Sequence, residues 1–177
     1  MSAFNISLQQ GDICLSETDA IVNAANSSLL GGGGVDGAIH AAAGPALLAM
    51  CEGIPLLDGI RCPVGQARIT GSGNLKCRYI IHTVGPIYSS DSESAGLLQA
   101  AYQNSLLLAL ANNCRSVALP AVSCGVYAYP AAKAAALTLA TCSRPEFRDL
   151  KLEFYLFDET MMLIWSRALA ELKAVLV

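Results

Sequence analysis

The residues with the clearest chemical potential lie in one stretch, residues 21–37, which reads IVNAANSSLLGGGGVDG. A buried strand is expected to end near Asn23 and Asn26, and four consecutive glycines then lead into a helix that carries Asp36. Glycine loses much conformational entropy on folding, so a run of four indicates a sharp turn or a close approach to another group. Successive unhindered N–H groups at a helix N-terminus form a natural phosphate site. We therefore predict a ligand-binding loop here, with a purely structural turn as the alternative.

This glycine loop differs in context from the two common phosphate-binding loops. Gly32, Gly34 and Gly37 satisfy G-x-G-x-x-G, but eight residues separate Val22 from the first glycine, whereas dinucleotide-binding glycines follow their strand directly. Asp36 also stands inside the fingerprint, where its charge would repel a pyrophosphate. A P-loop fits less well still, because no Gly-Lys-Ser/Thr follows. A nicotinamide oxidoreductase is therefore a weak interpretation.

Two polar side chains beside the glycine loop each allow two interpretations. Asp36 is placed to complement the helix dipole, or to orient or deprotonate a water beside a bound sugar. The amide of Asn26 has a donor end and an acceptor end with which to hold a ribose hydroxyl, although a lone Asn in a turn is more often a turn former.

A second loop with similar features occupies residues 120–130, PAVSCGVYAYP. A buried strand again runs into small residues and Gly125, and Pro130 suits the first turn of a helix. If the two strands are parallel, both loops emerge at one sheet edge and together fit a diphosphate. Tyr127 would then cover a ring or shield the phosphates, unless it is an ordinary half-buried tyrosine. For Cys124 we expect packing and not a nucleophilic role, because His40 and His82 are predicted to lie within a helix and a strand.

Two further positions complete a set of residues that suits a bound nucleotide. Asp12 follows the first predicted strand, so its carboxylate can accept from an adenine amino group, or else form a turn or cap. Phe157 ends the last predicted strand, where its ring can stack on a base, although core packing is the commoner fate of such a residue.

The elements that must position these residues follow from the periodicity of the apolar residues. Strands are predicted over residues 4–9, 20–22, 67–70, 79–84, 116–121 and 152–157. Helices are predicted over residues 35–51 with a break near Gly44-Pro45, and over 94–110, 130–142 and 159–172. Ser94 is the expected cap of the second helix, after a polar, exposed loop over residues 89–94. Alternating strands and helices indicate an α/β layered domain with a mostly parallel sheet, and the short link over residues 71–78 makes one pair antiparallel.

The composition is unusually apolar, with 54% hydrophobic and 14% charged residues and a mean hydropathy of +0.47. No uninterrupted apolar run reaches the roughly 18 residues of a spanning helix, so we expect no membrane segment. A sheet covered by helices on both faces explains the apolarity, because its strands read as nearly continuous hydrophobic runs. The same composition excludes disorder.

Charge and cysteine content limit the partners and the compartment. The net charge is −3 and no cluster of Lys and Arg occurs, which makes nucleic-acid binding a poor interpretation. The seven cysteines include no C-x-x-C pair, as is typical of reduced thiols, so neither a disulfide framework nor a zinc site is expected. The N-terminus lacks the pattern of a secretory signal, and we expect a cytoplasmic protein.

Taken together, these motifs resemble the macrodomain family, and in particular its ADP-ribose-hydrolysing branch with the bacterial O-acetyl-ADP-ribose deacetylases. The resemblance covers essentially the whole chain, residues 1–177, as a single domain. It is carried by GDI at residues 11–13, IVNAAN at 21–26, GGGGVDGAIHAAAG at 31–44, HTVGP at 82–86 and SCGVYAYP at 123–130. It implies a three-layer α/β/α sandwich around a mixed, mostly parallel six-stranded sheet that binds ADP-ribose across one edge.

The resemblance also implies roles for individual residues. Asp12 would hold the adenine amino group with Phe157 near the ring, Asn26 would hold the distal ribose, and Asp36 would activate or orient water there. The glycine loop and the loop over residues 123–127 would bind the diphosphate from two sides. The substrate-binding set would further include Ile13, Asn23, Gly33, Gly34, Val35, Ser123, Cys124, Gly125, Val126 and Tyr127. Two positions depart from the family: Ala128 stands where glycine is usual, and Cys124 stands where a small hydroxyl residue is common.

The hypothesis from the sequence is hydrolysis of ester-linked ADP-ribose, either O-acetyl-ADP-ribose or ADP-ribosyl esters on acidic side chains of proteins. Asn26 and Asp36 favour this enzyme over the alternative, a module that binds ADP-ribose without cleaving it. The sequence suggests no cofactor and no metal. The expected partners are ADP-ribose and its esters, together with ADP-ribosylated proteins.

Overall fold

The computed structural model of the chain describes residues 5–176. Within them the strands are β1 (Ile6–Gln10), β2 (Ala20–Ala24), β3 (Ala67–Gly71), β4 (Tyr79–Thr83), β5 (Ser116–Leu119) and β6 (Lys151–Leu156). The helices are α1 (Gly34–Ala43), α2 (Pro45–Glu52), α3 (Asp91–Ala111), α4 (Ala131–Cys142) and α5 (Glu159–Leu176), with short 3-10 helices at Ile13–Leu15 and Pro145–Phe147.

The described strands form one sheet of six in the order β1-β6-β5-β2-β4-β3. Every neighbouring pair is parallel except β3 with β4, which are antiparallel. The short link between β3 and β4 leaves no room for a crossover helix, which is why this pair alone reverses direction. The predicted mixed, mostly parallel sheet is confirmed.

Helices cover both faces of the sheet, as a three-layer sandwich requires. Successive strand residues point to opposite faces, so Ile80 belongs to the core covered by α1 and α2, while its neighbour Ile81 belongs to the core covered by α3, α4 and α5. Both side chains are fully buried. This double burial accounts for the apolar composition of the chain.

Within residues 5–176, no single helix is long and apolar enough to cross a membrane. Of the described helices, only α1 and α2 taken together reach that length and composition, and they are bent by 110° at Gly44, where the sequence predicted the break.

Several predicted boundaries are wrong by a few residues. Strand β5 ends at Leu119 because the following Pro120 has no N–H for the ladder. Helix α3 begins at Asp91 and not at Ser94: its cap is Ser90, whose side chain accepts a hydrogen bond from the N–H of Glu93. Ser94 is buried inside the first turns, so the supposed exposed loop over residues 89–94 is mostly helix. The first predicted strand includes Phe4, which lies outside the described residues.

Candidate ligand site

A cavity of about 810 Å³ opens at the carboxyl ends of β1, β2, β5 and β6. Open α/β sheets bind ligands at this edge, because the strands end there and the loops leave a crevice. All but one of the residues selected from the sequence line this cavity. They are Asp12, Ile13, Asn26, Gly33, Gly34, Val35, Asp36, Ser123, Cys124, Gly125, Val126, Tyr127 and Phe157.

The glycine loop presents the N-terminus of α1 to this cavity. Gly33 caps the helix without any side-chain hydrogen bond, so the N–H groups of Gly34, Val35 and Asp36 have no intrahelical partner. Gly34 has a φ of +57°, a conformation that costs glycine little and other residues more. These free N–H groups and the helix dipole form a site for an anion.

The second loop, residues 123–128, presents a similar set of backbone donors from the other side. Ser123 anchors it by donating from its hydroxyl to the carbonyl of Pro86 at 2.8 Å. Within residues 5–176, the N–H groups of Gly125, Val126 and Tyr127 make no hydrogen bond. Val126 is 97% exposed, so the tip of the loop is open to an incoming ligand.

Backbone donors dominate this cavity because charged donors are missing from its described lining. No Lys, Arg or His side chain is among the lining residues within 5–176. A bound diphosphate would therefore be held by backbone N–H groups and helix N-termini.

Asp36 lies at the inner end of the cavity and is only 4% exposed. Its Oδ1 accepts a hydrogen bond from Asn23 Nδ2 at 2.8 Å and lies 3.5 Å from His40 Nε2. Its Oδ2 takes no hydrogen bond from the described residues, so this oxygen is available to a water. Burial raises the pKa of Asp36 above its ordinary value, while the Asn23 hydrogen bond and His40 oppose the rise. A carboxylate with a raised pKa is a stronger proton acceptor.

Asn23 is the selected residue that does not line the cavity. It is fully buried on β2 behind Asp36, where it contacts Asp36 and not the cavity, and direct binding of substrate by Asn23 stays a prediction. Its Nδ2 also lies 3.2 Å from His82 Nδ1. The sequence had placed His82 only within a strand, and its pairing opposite Asn23 depends on the β2–β4 register.

Asn26 acts as a turn former and still faces the cavity. Its Oδ1 accepts hydrogen bonds from the N–H and the hydroxyl of Ser28, and its Nδ2 donates to the carbonyl of Gly31 at 2.9 Å. The acceptor end is therefore occupied, and a single N–H remains for a ligand. Asn26 can donate to a ribose hydroxyl but cannot also accept from it, as its sequence position alone had allowed.

Gly32 separates Asn26 from Asp36, and the space there is tight. A Cβ on Gly32 would lie 3.2 Å from Asp36 Oδ2 and 3.3 Å from Asn26 Nδ2. The glycine therefore lets these two polar groups converge on one point of the cavity.

The opposite end of the cavity is more exposed. Asp12 caps the 3-10 helix Ile13–Leu15, where its Oδ1 accepts from the N–H of Cys14 at 2.9 Å. Asp12 is itself exposed, so capping and ligand binding are compatible. Phe157 is 73% exposed and packs into neither core, which leaves its ring free to stack on a base.

The two departures from the family have clear structural consequences. Burial raises the pKa of the Cys124 thiol to about 11, so this residue is protonated near neutral pH and poorly suited to act as a nucleophile. It lines the cavity and packs partly against the core. Ala128 has a φ of +58°, the left-handed region in which glycine would be relaxed. Tyr127, next to it, is half-buried.

Comparisons of sequence support one family. The Macro domain family model matches residues 22–138. A macro domain-containing protein of Vibrio parahaemolyticus is 60% identical over 166 residues, which cover 94% of this chain and 98% of that protein. An O-acetyl-ADP-ribose deacetylase of Klebsiella pneumoniae is 52% identical over 164 residues, covering 90% and 93% of the two chains.

Solved structures give the same result. The Oceanobacillus iheyensis macrodomain with ADP has a TM-score of 0.90 and 41% identity, covering 96% of this chain and 92% of that one. The Trypanosoma brucei macrodomain in complex with ADP-ribose has a TM-score of 0.79 and 36% identity, covering 92% and 68%. With its six-stranded sheet and its glycine loop at the sheet edge, the chain belongs to the macro domain family.

Proposed function

We propose that this protein hydrolyses the ester bond of O-acetyl-ADP-ribose or of ADP-ribosyl esters on acidic protein side chains. The observation that carries the proposal is the position of Asp36: a buried carboxylate whose one oxygen is held by Asn23 while the other faces the cavity. Relatives about half identical to this chain bear the name O-acetyl-ADP-ribose deacetylase.

In this mechanism the adenosine and diphosphate provide the binding energy and the distal ribose carries the reacting ester. The backbone N–H groups of the two loops hold the diphosphate, and the free N–H of Asn26 donates to the ribose. Remote contacts of this kind fix the reacting centre and lower the entropic part of the barrier.

The chemical step assigns Asp36 the role of general base. A water beside Asp36 Oδ2 gives a proton to the carboxylate while its oxygen bonds to the acyl carbon. The bond from the acyl carbon to the ribose oxygen then breaks, and the departing oxygen keeps the electron pair and takes the proton that Asp36 had accepted, which regenerates the carboxylate. The products are the free carboxylic acid and ADP-ribose. General-base catalysis of this type contributes about 100–10,000-fold to a rate.

The test compares wild type with Asp36→Asn on O-acetyl-ADP-ribose, following acetate release, and measures ADP-ribose affinity by calorimetry. We expect acetate release to fall by about 100–10,000-fold. Affinity should be kept or improved, since a negative charge next to the diphosphate site is removed. Asp149→Asn, an exposed carboxylate outside the cavity, is the matched control and should behave as wild type.

Two outcomes would contradict the proposal. Equal acetate release from wild type and Asp36→Asn would remove Asp36 from the mechanism. Tight ADP-ribose binding by a wild-type protein that releases no acetate above background would identify a binding module. Repeating the assay on a protein carrying ester-linked ADP-ribose distinguishes the two ester substrates.

A further inference from the structure

A chain of buried polar side chains lies behind Asp36, and the mechanism above does not use its far end. Asn23 on β2 donates to Asp36 and lies opposite His82 on β4. His82 Nε2 in turn lies 3.0 Å from the hydroxyl of Thr70 on β3. Asn23, His82 and Thr70 are all buried, and neither His82 nor Thr70 lines the cavity.

The direction of each hydrogen bond follows from a backbone carbonyl at the end of this chain. The Thr70 hydroxyl lies 2.9 Å from the carbonyl of Gly71, which can only accept, and we assign its single proton to that carbonyl, which leaves the hydroxyl oxygen as an acceptor for His82. His82 Nε2 therefore carries the ring proton, and in the neutral ring Nδ1 is an acceptor. Cys51 Sγ, 3.7 Å from the same Nε2, is a much weaker partner.

The amide of Asn23 is oriented by this acceptor. With Nδ1 of His82 unprotonated, Asn23 turns its NH₂ group toward it at 3.2 Å and uses the other N–H for Asp36. The reversed amide would place its oxygen against both a carboxylate and a nitrogen lone pair, two repulsive contacts. The chosen orientation leaves Asn23 Oδ1 buried without a partner among the described residues. That orphan acceptor is a free-energy cost that the hydrogen bond to Asp36 must offset.

We propose that His82 and Thr70 are positioning residues for hydrolysis, which hold the N–H of Asn23 on Asp36 Oδ1 and so leave Oδ2 aimed at the cavity. This inference rests on the proposed function of Asp36 as the base. At metal sites, residues that hydrogen-bond to a metal ligand orient that ligand in the same way.

The charge state of His82 suits this role. Burial lowers the pKa of His82 to about 3, so Nδ1 remains an acceptor across the ordinary pH range. The titratable groups facing the network are His40, whose ring centroid is 6.4 Å away, and Asp36 on α1, together with Cys51 on α2.

A matched pair of variants separates the two ring nitrogens. The side-chain oxygen of Asn in His82→Asn takes the place of Nδ1 and keeps the acceptor for Asn23. His82→Gln reaches only the place of Nε2 and loses that acceptor. We expect kcat to fall by about 10–100-fold in His82→Gln with little change in KM, as for other orienting partners, and His82→Asn to recover much of this loss.

Thr70 offers a second pair, which decides the question if a His82 variant does not fold. Thr70→Ser keeps the hydroxyl and Thr70→Val removes it at nearly the same volume. Thr70→Val should lower kcat in the same direction as His82→Gln, and Thr70→Ser should retain it.

Two spectroscopic measurements are independent of turnover. Nitrogen NMR of wild type should show the His82 proton on Nε2. Carbon NMR titration measures the pKa of Asp36, which rises when the N–H of Asn23 is no longer held on its Oδ1. This pKa should therefore be higher in His82→Gln and Thr70→Val than in His82→Asn and Thr70→Ser. A proton on Nδ1, or equal Asp36 pKa values and equal kcat within each pair, would overturn the inference. If wild type releases no acetate, the proposed function fails, and the Asp36 titration alone decides whether the network positions that carboxylate.

Discussion

At the Asp36 end of the cavity the side chains are buried and hydrogen-bonded to their neighbours. At the Phe157 end the side chains are exposed and make few contacts. Asp36 and Asn23 are almost completely enclosed and hydrogen-bonded to each other. Asp12 and Phe157 are exposed, and Asp12 caps the short 3-10 helix by accepting a hydrogen bond from the N–H of Cys14.

In the function we propose, this difference separates catalysis from recognition. A reacting centre needs fixed geometry and a carboxylate with a shifted pKa, and both require burial. A base-binding end needs apolar area and a few open hydrogen-bonding groups, which an exposed aromatic ring and a partly free carboxylate supply. Changes at the first end should therefore alter kcat and stability, and changes at the second should alter affinity.

The largest contrast is expected between Asp36→Asn and Asp12→Asn. Besides losing hydrolysis by about 100–10,000-fold, Asp36→Asn should melt at a higher temperature, because a carboxylate whose pKa is raised by burial destabilises the fold when ionised. Each kcal/mol gained corresponds to about 2–4 °C.

The control at the exposed end, Asp12→Asn, keeps a good helix cap and should leave the melting temperature nearly unchanged. Scanning calorimetry at pH 7 measures both variants. A lower melting temperature for Asp36→Asn would contradict the assignment of Asp36 as a strained, buried charge.

The next effect is the dependence of stability on pH. The pKa of His82 is lowered to about 3 from 6.5, so the unfolded chain binds the extra proton first as the pH falls. Its contribution to stability is therefore complete above pH 6.5 and is lost toward pH 3, at up to about 1.4 kcal/mol per pH unit. Urea unfolding at pH 7, 6 and 5 measures this slope, which His82→Asn should lose. Equal slopes in the two proteins would show that His82 is not the buried neutral group described.

A third contrast concerns Phe157→Ala. Stacking of a base on an aromatic ring is worth about 1–3 kcal/mol, so this variant should bind ADP-ribose more weakly by roughly 5–150-fold. At saturating substrate kcat should be retained, and the melting temperature should change little because the ring is exposed. Calorimetry and steady-state kinetics decide this. A fall in kcat as large as the fall in kcat/KM would show that Phe157 acts on the chemical step and not on affinity alone.

The smallest effect is expected at Ala128, in the second loop, residues 123–128. A φ of +58° strains alanine and not glycine, so Ala128→Gly relieves backbone strain. Glycine also loses more conformational entropy on folding, which limits the gain in stability to no more than about 1 kcal/mol. Ala170→Gly, on the exposed side of α5, should instead destabilise by about 1 kcal/mol. Loss of stability in both variants would show that Ala128 is not strained.

The parts of the fold that depend on local pattern were predictable from the sequence. The glycine run and Asp36 located the start of α1, and the short link over residues 71–78 indicated the antiparallel pair. The cap of α3 was misplaced, although Ser90 and Glu93 have the serine-to-glutamate spacing that marks a helix N-terminus.

The parts that depend on pairing between distant segments were not predictable. Strand β2 continues to Ala24, which places Asn23 inside the sheet and not in the binding loop. His82 and Thr70 become relevant only through the alignment of β2, β4 and β3, which no local pattern reveals. Asn26, by contrast, makes a local turn with Ser28 and Gly31, which is the turn-forming alternative that its sequence position indicated.

The most direct test of Asp36 as a buried base is the pH profile of kcat/KM for wild type and Phe157→Ala on O-acetyl-ADP-ribose. Both profiles should be flat at neutral pH and fall as the pH decreases through a single apparent pKa above the ordinary value for Asp, because burial raises that of Asp36. Asp36→Asn should show only a low rate without this acid limb. An acid limb at or below the ordinary value for Asp, or one that persists in Asp36→Asn, would contradict the account.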